Sequence, residues 1–303
     1  MPIKIPNNLP AVKTLQNENI FVMTETRAIT QDIRPLKILI LNLMPKKIET
    51  ETQLARLLGN TPLQVEMELI HTKSHQSKNV AEEHLLAFYK TFADIRHEKF
   101  DGMIITGAPV ENVEFTDVKY WKELQTIFDY AKTHVTSTLF ICWGAQAGLY
   151  HYYGIEKHLL PEKLFGVFKH KKLVNYDKLL KGTDDRFFMP HSRHSTVYIE
   201  DIKKCKDLVL LATSKEAGAA IIRSKDDKFI FITGHAEYDR ETLELEYLRD
   251  INKGLNVPVP VNYYVNDKPG EIKMSWVSTA NVIYMNWLNH YVYQATPYEI
   301  DEI

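Results

Sequence analysis

Two short stretches of this chain carry side chains that could do covalent chemistry. The first is Ile141-Cys142-Trp143-Gly144-Ala145-Gln146-Ala147-Gly148, an apolar run that leads directly into a cysteine and then into small residues. A sharp strand-to-helix turn of this form projects its central side chain outward, as in a nucleophile elbow. The positive end of the helix that follows favours a thiolate at Cys142. The backbone N–H groups that open the helix, beginning at Trp143, can hold a developing oxyanion. The second stretch is Gly234-His235-Ala236-Glu237, which closes the apolar segment 229–233. Residues two apart on extended chain share a side. The His235 imidazole can therefore face a nucleophile while the Glu237 carboxylate orients it and stabilises its charged form.

The surrounding pattern says what positions them. Leu36-Lys37-Ile38-Leu39-Ile40-Leu41-Asn42-Leu43 is nearly continuous in apolar residues, as strands buried on both faces of a parallel sheet are. Helical spacing follows over 47–58, strand alternation over 64–70, a helix over 81–93 and a third buried strand over 102–107. An amphipathic helix over 117–133, a strand over 137–142 and a helix over 144–152 complete the series. This alternation predicts an α/β fold, a mostly parallel sheet flanked by helices. Beyond Phe165 the segments 165–170, 187–190, 196–199, 209–212, 219–223 and 229–233 are shorter and predict antiparallel or mixed strands. Helices are expected over 241–252 and 276–293. Residues 1–34 read as an N-terminal arm packing on the core, and 35–303 as a single catalytic domain with a C-terminal helical extension. In open α/β sheets ligands bind beyond the carboxyl ends of the strands. That places Met44-Pro45, Gly107-Ala108-Pro109-Val110, Cys142 and the His235 segment around one site.

Composition removes other classes. Hydrophobic residues make up 45% and charged residues 25% of 303 positions, ordinary for a folded protein and too apolar for a disordered one. Lys plus Arg is 37 against 39 acidic residues, so no basic surface is expected to recruit nucleic acid or an anionic membrane. No apolar run approaches the roughly 20 residues of a membrane span, and the opening residues lack a signal-length apolar run. A cytoplasmic protein is expected. Two cysteines cannot build a disulfide framework or a four-cysteine zinc site. Cys205, among Lys203, Lys204 and Lys206, reads as an incidental thiol. Pro190-His191-Ser192-Arg193-His194 reads as a polar supporting loop; without accompanying carboxylates or cysteines it predicts no metal.

A cysteine after a buried strand with a downstream His-x-Glu resembles the class I glutamine amidotransferase-like fold. Amidotransferases usually carry Pro between the His and the Glu, whereas Ala236 stands here. Further segments narrow the likeness. They are Gln31-Asp32-Ile33-Arg34-Pro35-Leu36-Lys37-Ile38, Leu41-Asn42-Leu43-Met44-Pro45-Lys46-Lys47-Ile48-Glu49-Thr50-Glu51 and Thr106-Gly107-Ala108-Pro109-Val110. Cys142-Trp143-Gly144-Ala145-Gln146, Pro190-His191-Ser192-Arg193-His194 and Gly234-His235-Ala236-Glu237-Tyr238-Asp239-Arg240 join them. Together, and over almost the whole chain, they resemble the amidotransferase-like homoserine O-acyltransferases of methionine biosynthesis.

The resemblance implies transfer of an acyl group from a coenzyme A thioester to the hydroxyl of L-homoserine through an acyl-Cys142 intermediate. It implies substrate binding by Lys163, Ser192 and Arg249, a homodimer, and no cofactor besides the acyl-CoA co-substrate. Ser192 and Glu111 fall at positions tied to the acyl donor. Where succinyl users have Gly, acetyl users have Glu, so Glu111 implies acetyl-CoA. Physically, a glutamate there fills space and repels succinate's free carboxylate. Succinyl transfer by the same machinery, a glutamine amidotransferase subunit, and a non-enzymatic binding protein on this fold remain the alternatives.

Overall fold

The computed structural model describes residues 3–17, 22–25, 34–74, 81–297 and 299–303. Its strands are β1 (Ile3–Ile5), β2 (Val22–Thr24), β3 (Leu36–Leu41), β4 (Val65–His71), β5 (Tyr89–Thr91), β6 (Phe100–Ile105) and β7 (Val135–Ile141). Then come β8 (His158–Lys172), β9 (Arg186–Thr196), β10 (Leu208–Ser214), β11 (Gly218–Ser224) and β12 (Phe229–Ile232). They form one sheet in the order β2-β1-β4-β3-β6-β7-β12-β11-β10-β8-β9, with β5 beside β4. The strands from β2 to β12 along this path pair in parallel; β12-β11-β10-β8-β9 pair antiparallel.

Alternation along β3 divides the core into two layers. Ile38 and Ile40 face a cluster closed by the helices Pro10–Asn17, Lys47–Gly59 and Val277–Asn286 and the π-helical turn Trp287–Tyr293. Leu39 and Leu41 face a cluster closed by the helices Trp121–His134 and Trp143–Tyr153. Both faces of β3, β6 and β7 are thus buried, which is why their sequences are largely apolar, whereas β4, nearer the edge, alternates. The result is a mostly parallel sheet flanked by helices, the α/β architecture that the sequence pattern predicts.

Several local expectations are corrected. The segment 81–93 is not one helix. It is Glu82–Phe88, then β5, then the short turn Phe92–Ile95. Tyr89 leaves the helix because its hydroxyl donates to Glu51 Oε1 at 2.5 Å and its backbone pairs with Leu69, while Thr91 and Asp94 form a capping box. The segment 196–199 is not a strand. β9 ends at Thr196, and Ile199–Lys204 is a helix with acidic residues in its first turn and lysines in its last. The segment around Ser192 is no loop, since it lies within β9 with His191 and Arg193 fully buried. In the N-terminal segment, β1 pairs with β4 and Ala11 and Leu15 are buried. Of the motif beginning at Gln31, residues 31–33 lie outside the described residues; Arg34 forks onto Asp101 with bonds of 2.9 and 3.0 Å.

Candidate active site

β7 delivers Cys142 at its carboxyl end, and the chain turns there without relaxing. Cys142 sits at φ 51°, ψ −117°, a conformation that costs a non-glycine residue of order 1–3 kcal/mol. The strain is held by neighbours: Cys142 N donates to Ile232 O on β12 (2.7 Å), and Gln146 N donates to Cys142 O (3.2 Å). Gly144 lets the helix start this close to the sheet, since a Cβ there would stand 2.6 Å from Thr106 O. The N–H groups of Trp143, Gly144 and Ala145 are in the first turn and have no acceptor within their own helix. The Trp143 indole itself is buried in the core.

β12 lies next to β7 with Ile141 paired to Ile232, so the turn after β12 rises beside Cys142. His235 N donates to Pro190 O (2.8 Å), and the ring stacks on Tyr238 with centroids 4.1 Å apart. Nδ1–H donates to Glu237 Oε1 at 2.6 Å, which leaves Nε2 for Cys142. Burial alone would lower the pKa of His235. Cys142, Glu237 and the hydrogen bonds to both overcome it and raise the value well above the usual. The arrangement is a buried imidazole between a thiol group and a carboxylate, which when charged can give a proton to a leaving group and when neutral can take one from a hydroxyl.

The same cavity, about 320 Å³, is lined by Cys142, His235, Glu111, Lys163, Ser192 and Arg249, with Met44 and Pro45 at one side. Glu237 stands behind His235. Glu111, in the turn after β6, accepts from His194 N at 2.9 Å through Oε2, while its buried Oε1 has no partner. Burial raises its pKa to about 7, against the opposing pull of the His194 N–H, His235 and Arg193. Lys163 on β8 donates to Glu246 Oε1 (2.9 Å) and Asp250 Oδ2 (3.1 Å). Ser192 on β9 donates to the same Glu246 oxygen at 2.6 Å. Arg249, on the helix Thr242–Asn252, donates from Nε to Asp250 Oδ1 at 2.8 Å and is 43% exposed. Among the described residues no group of three or more His, Cys, Asp or Glu is placed to hold a metal ion. Cys205, at the C-terminal end of the Ile199–Lys204 helix, packs against the core and does not line this cavity.

Sequence reasoning missed Glu246, Asp250 and Tyr238. Glu246 stands three residues before Arg249 and four before Asp250, a helical spacing that could have been read. Tyr238 is one residue past Glu237, and nothing in the sequence tells that its ring covers His235.

Comparison with known proteins agrees with this picture. A family model described as homoserine O-succinyltransferase matches residues 2–298. The homoserine O-acetyltransferase of Clostridium tetani is 60% identical over 301 residues, 98% of each chain. That of Brevibacillus brevis is 59% identical over 302 residues, 99% of each chain. Among solved structures, a glutamine amidotransferase from Thermotoga maritima aligns with a TM-score of 0.58 at 12% identity, over 86% of this chain and 100% of its own. Another, from Methylobacillus flagellatus, aligns at 0.52 and 12%, over 85% and 95%. Likeness at that identity bears on the fold alone.

Proposed function

The chain belongs to the homoserine O-succinyltransferase family of homoserine acyltransferases, and we propose that it transfers the acetyl group of acetyl-CoA to the hydroxyl of L-homoserine through an acyl-Cys142 intermediate. The observation that carries the mechanism is the strained Cys142 beside a His235 flanked by Glu237, all at one cavity. The thiolate attacks the thioester carbonyl, and the oxyanion lies against the N–H groups at Trp143 and its neighbours. As the tetrahedral intermediate collapses, the C–S bond to coenzyme A breaks and the imidazolium protonates the departing sulfur. Homoserine enters, neutral His235 takes its hydroxyl proton, and the oxygen displaces Cys142. The thioester keeps the donor's activation through the exchange.

Two cations, Lys163 and Arg249, and two anions, Glu246 and Asp250, at the cavity wall match the ammonium and carboxylate of an amino acid. Arg249 binds the carboxylate and Ser192 contacts the acyl group. The donor follows from Glu111. Its buried carboxylate supports acetyl-CoA over succinyl-CoA, in line with the names of the two relatives above and against the name of the family model. No cofactor beyond the co-substrate is required. A free nucleophilic thiol suits the reducing cytoplasm. The working form is a homodimer, with no nucleic acid or membrane partner; no described helix is long and apolar enough to cross a membrane.

The test is intact-protein mass spectrometry after acetyl-CoA alone, succinyl-CoA alone or glutamine, with Cys142→Ala alongside. An acetyl mass on Cys142 that homoserine discharges is expected. A succinyl adduct instead would keep the mechanism and overturn the donor. No adduct together with no acyl-homoserine in a steady-state assay would overturn both.

A further inference from the structure

A side chain that hands a proton from one partner to another must keep its ring in one plane. His235 is tied at Nδ1–H to Glu237 Oε1 (2.6 Å) and at its backbone N–H to Pro190 O (2.8 Å). Neither bond sets the tilt of the ring, because χ2 of histidine is a broad torsion. The contact that does is with Tyr238. The two rings are stacked, with centroids 4.1 Å apart and planes 17° from parallel. Along its edge the imidazole meets bare backbone. A Cβ at Gly107 would stand 3.5 Å from His235 Cε1 and 3.2 Å from Cys142 Cβ, so base and nucleophile crowd the same point. Tyr238 is 6% exposed and lines the cavity beside both.

Tyr238 is itself held firmly. Its N–H donates to His235 O at 3.4 Å, and its carbonyl accepts from Trp276 Nε1 at 2.8 Å. Its ring belongs to a separate core cluster with Phe165 and Val167 of β8, Leu243, Tyr263 and Trp276. Tyr263 and Trp276 come from the stretch 253–276 between two helices, where the strand pairing is two isolated bridges. Both are nonetheless at most 1% exposed. The Tyr263 hydroxyl also donates to Arg240 O, two residues past Tyr238. An irregular segment thus closes a dense aromatic packing around the residue that backs His235.

We propose that Tyr238 is a positioning residue for the acyl transfer: its ring backs the His235 imidazole and fixes the plane in which Nε2 faces first Cys142 and then the incoming hydroxyl. This rests on the acyl-cysteine reading above. A stacked face needs no proton on its neighbour. It therefore holds the imidazole both while His235 is charged and after that proton has gone to coenzyme A. With the bond at Nδ1 alone the ring could tilt between the two half-reactions, and a misplacement of about 1 Å can cost about a hundredfold in rate.

The experiment compares Tyr238→Leu with Tyr238→Phe in the full-length protein, each carrying Cys205→Ser so that one thiol reports. Leucine stays apolar and loses the flat face; phenylalanine keeps the face and loses the hydroxyl. The readouts are steady-state acetyl transfer to homoserine and the rate of iodoacetamide alkylation of Cys142 near neutral pH. Alkylation reports the base because an imidazole in place takes the thiol proton. In Tyr238→Leu kcat is expected to fall about tenfold or more, with the homoserine KM within about threefold of the parent, and alkylation to slow about tenfold. Tyr238→Phe is expected to recover most of both rates. Parent rates in Tyr238→Leu overturn the proposal, and so does a raised KM with kcat unchanged, which would make Tyr238 only a wall of the cavity. Tyr238→Phe as slow as Tyr238→Leu overturns it by giving the role to the hydroxyl. If Tyr238→Leu does not fold, as read by thermal unfolding, Tyr238→Phe decides: rates near those of the parent support the ring, and a fall of about tenfold in both overturns it. Alkylation needs no acyl donor, so absence of an acetyl adduct in the parent would sink the proposed reaction while leaving this measurement to judge Tyr238.

Discussion

Donor choice should change with pH, and Glu111 says by how much. Its carboxyl is raised by burial to about 7, so it is mostly neutral at pH 6 and mostly ionised at pH 8. With that midpoint the neutral fraction falls from about nine-tenths to about one-tenth over the two units. Succinate's free carboxylate is ionised throughout. Placed ~4 Å from an ionised Glu111, at an effective dielectric near 20, it meets about 4 kcal/mol of repulsion, close to three powers of ten. Only enzyme with neutral Glu111 then accepts succinyl-CoA. The assay is the ratio of kcat/KM for succinyl-CoA to that for acetyl-CoA from pH 6 to 8, because the titrations of Cys142 and His235 cancel in the ratio. It is expected to drop about tenfold in the wild type. Glu111→Gln, neutral and of the same shape, should hold it flat and raised. A ratio constant with pH in the wild type, or equally sloped in Glu111→Gln, would refute the reasoning. The same shift bears on stability. A carboxyl whose folded pKa lies above its unfolded value of 4.5 makes the fold lose stability as pH rises from there through about 7. Glu111→Gln should therefore unfold later at pH 8, by at most about 3 kcal/mol, and show little difference at pH 5.

Cys142→Ala should abolish acyl transfer while relieving backbone strain only slightly, since Ala is no better than Cys at positive φ; thermal unfolding near that of the parent, with no adduct by mass spectrometry, is the expected pair of results. His235→Asn should lower kcat by about 10² to 10⁴ for both donors, and a variant retaining full rate would remove His235 from the mechanism. Gly144→Ala pushes a Cβ to 2.6 Å from Thr106 O, a backbone atom that cannot rotate away, and should cost about 1–3 kcal/mol of stability by chemical denaturation. Glu246→Gln loosens Lys163 and Ser192 together and should raise the KM for homoserine more than that for acetyl-CoA; an equal effect on both would place Glu246 outside the amino-acid subsite.

What could be read ahead of the structure follows from the physics of each element. β3, β6 and β7 are buried on both faces, and their unbroken apolar runs announced parallel strands. The elbow at Cys142 was legible because strand, nucleophile and small residues are contiguous. β5 was hidden, since three residues are too few for a period of two to stand out from a helix. The start of β9 over 187–190 reads as a strand, but its continuation over 190–194 reads as a polar loop because its inward and outward residues are both polar. His191, Arg193 and Ser195 point into a buried network and Ser192 into the cavity, and polarity does not betray which. Glu246 and Asp250 went unread because ion pairs on an exposed helix look the same whether they border solvent or a substrate.

The nucleophile and its base belong to distant parts of the chain, and one ladder of hydrogen bonds, Thr138 to Ile141 against Phe229 to Ile232, sets them side by side. A slip of one residue in that ladder would move His235 by about 3.3 Å along the strand and turn alternate side chains to the opposite face. Activity is therefore a readout of strand register. During refolding it should return no earlier than the pairing of β12 with β7, which must close the long chain segment carrying β8 to β11, whereas helical signal from the local elements should recover first.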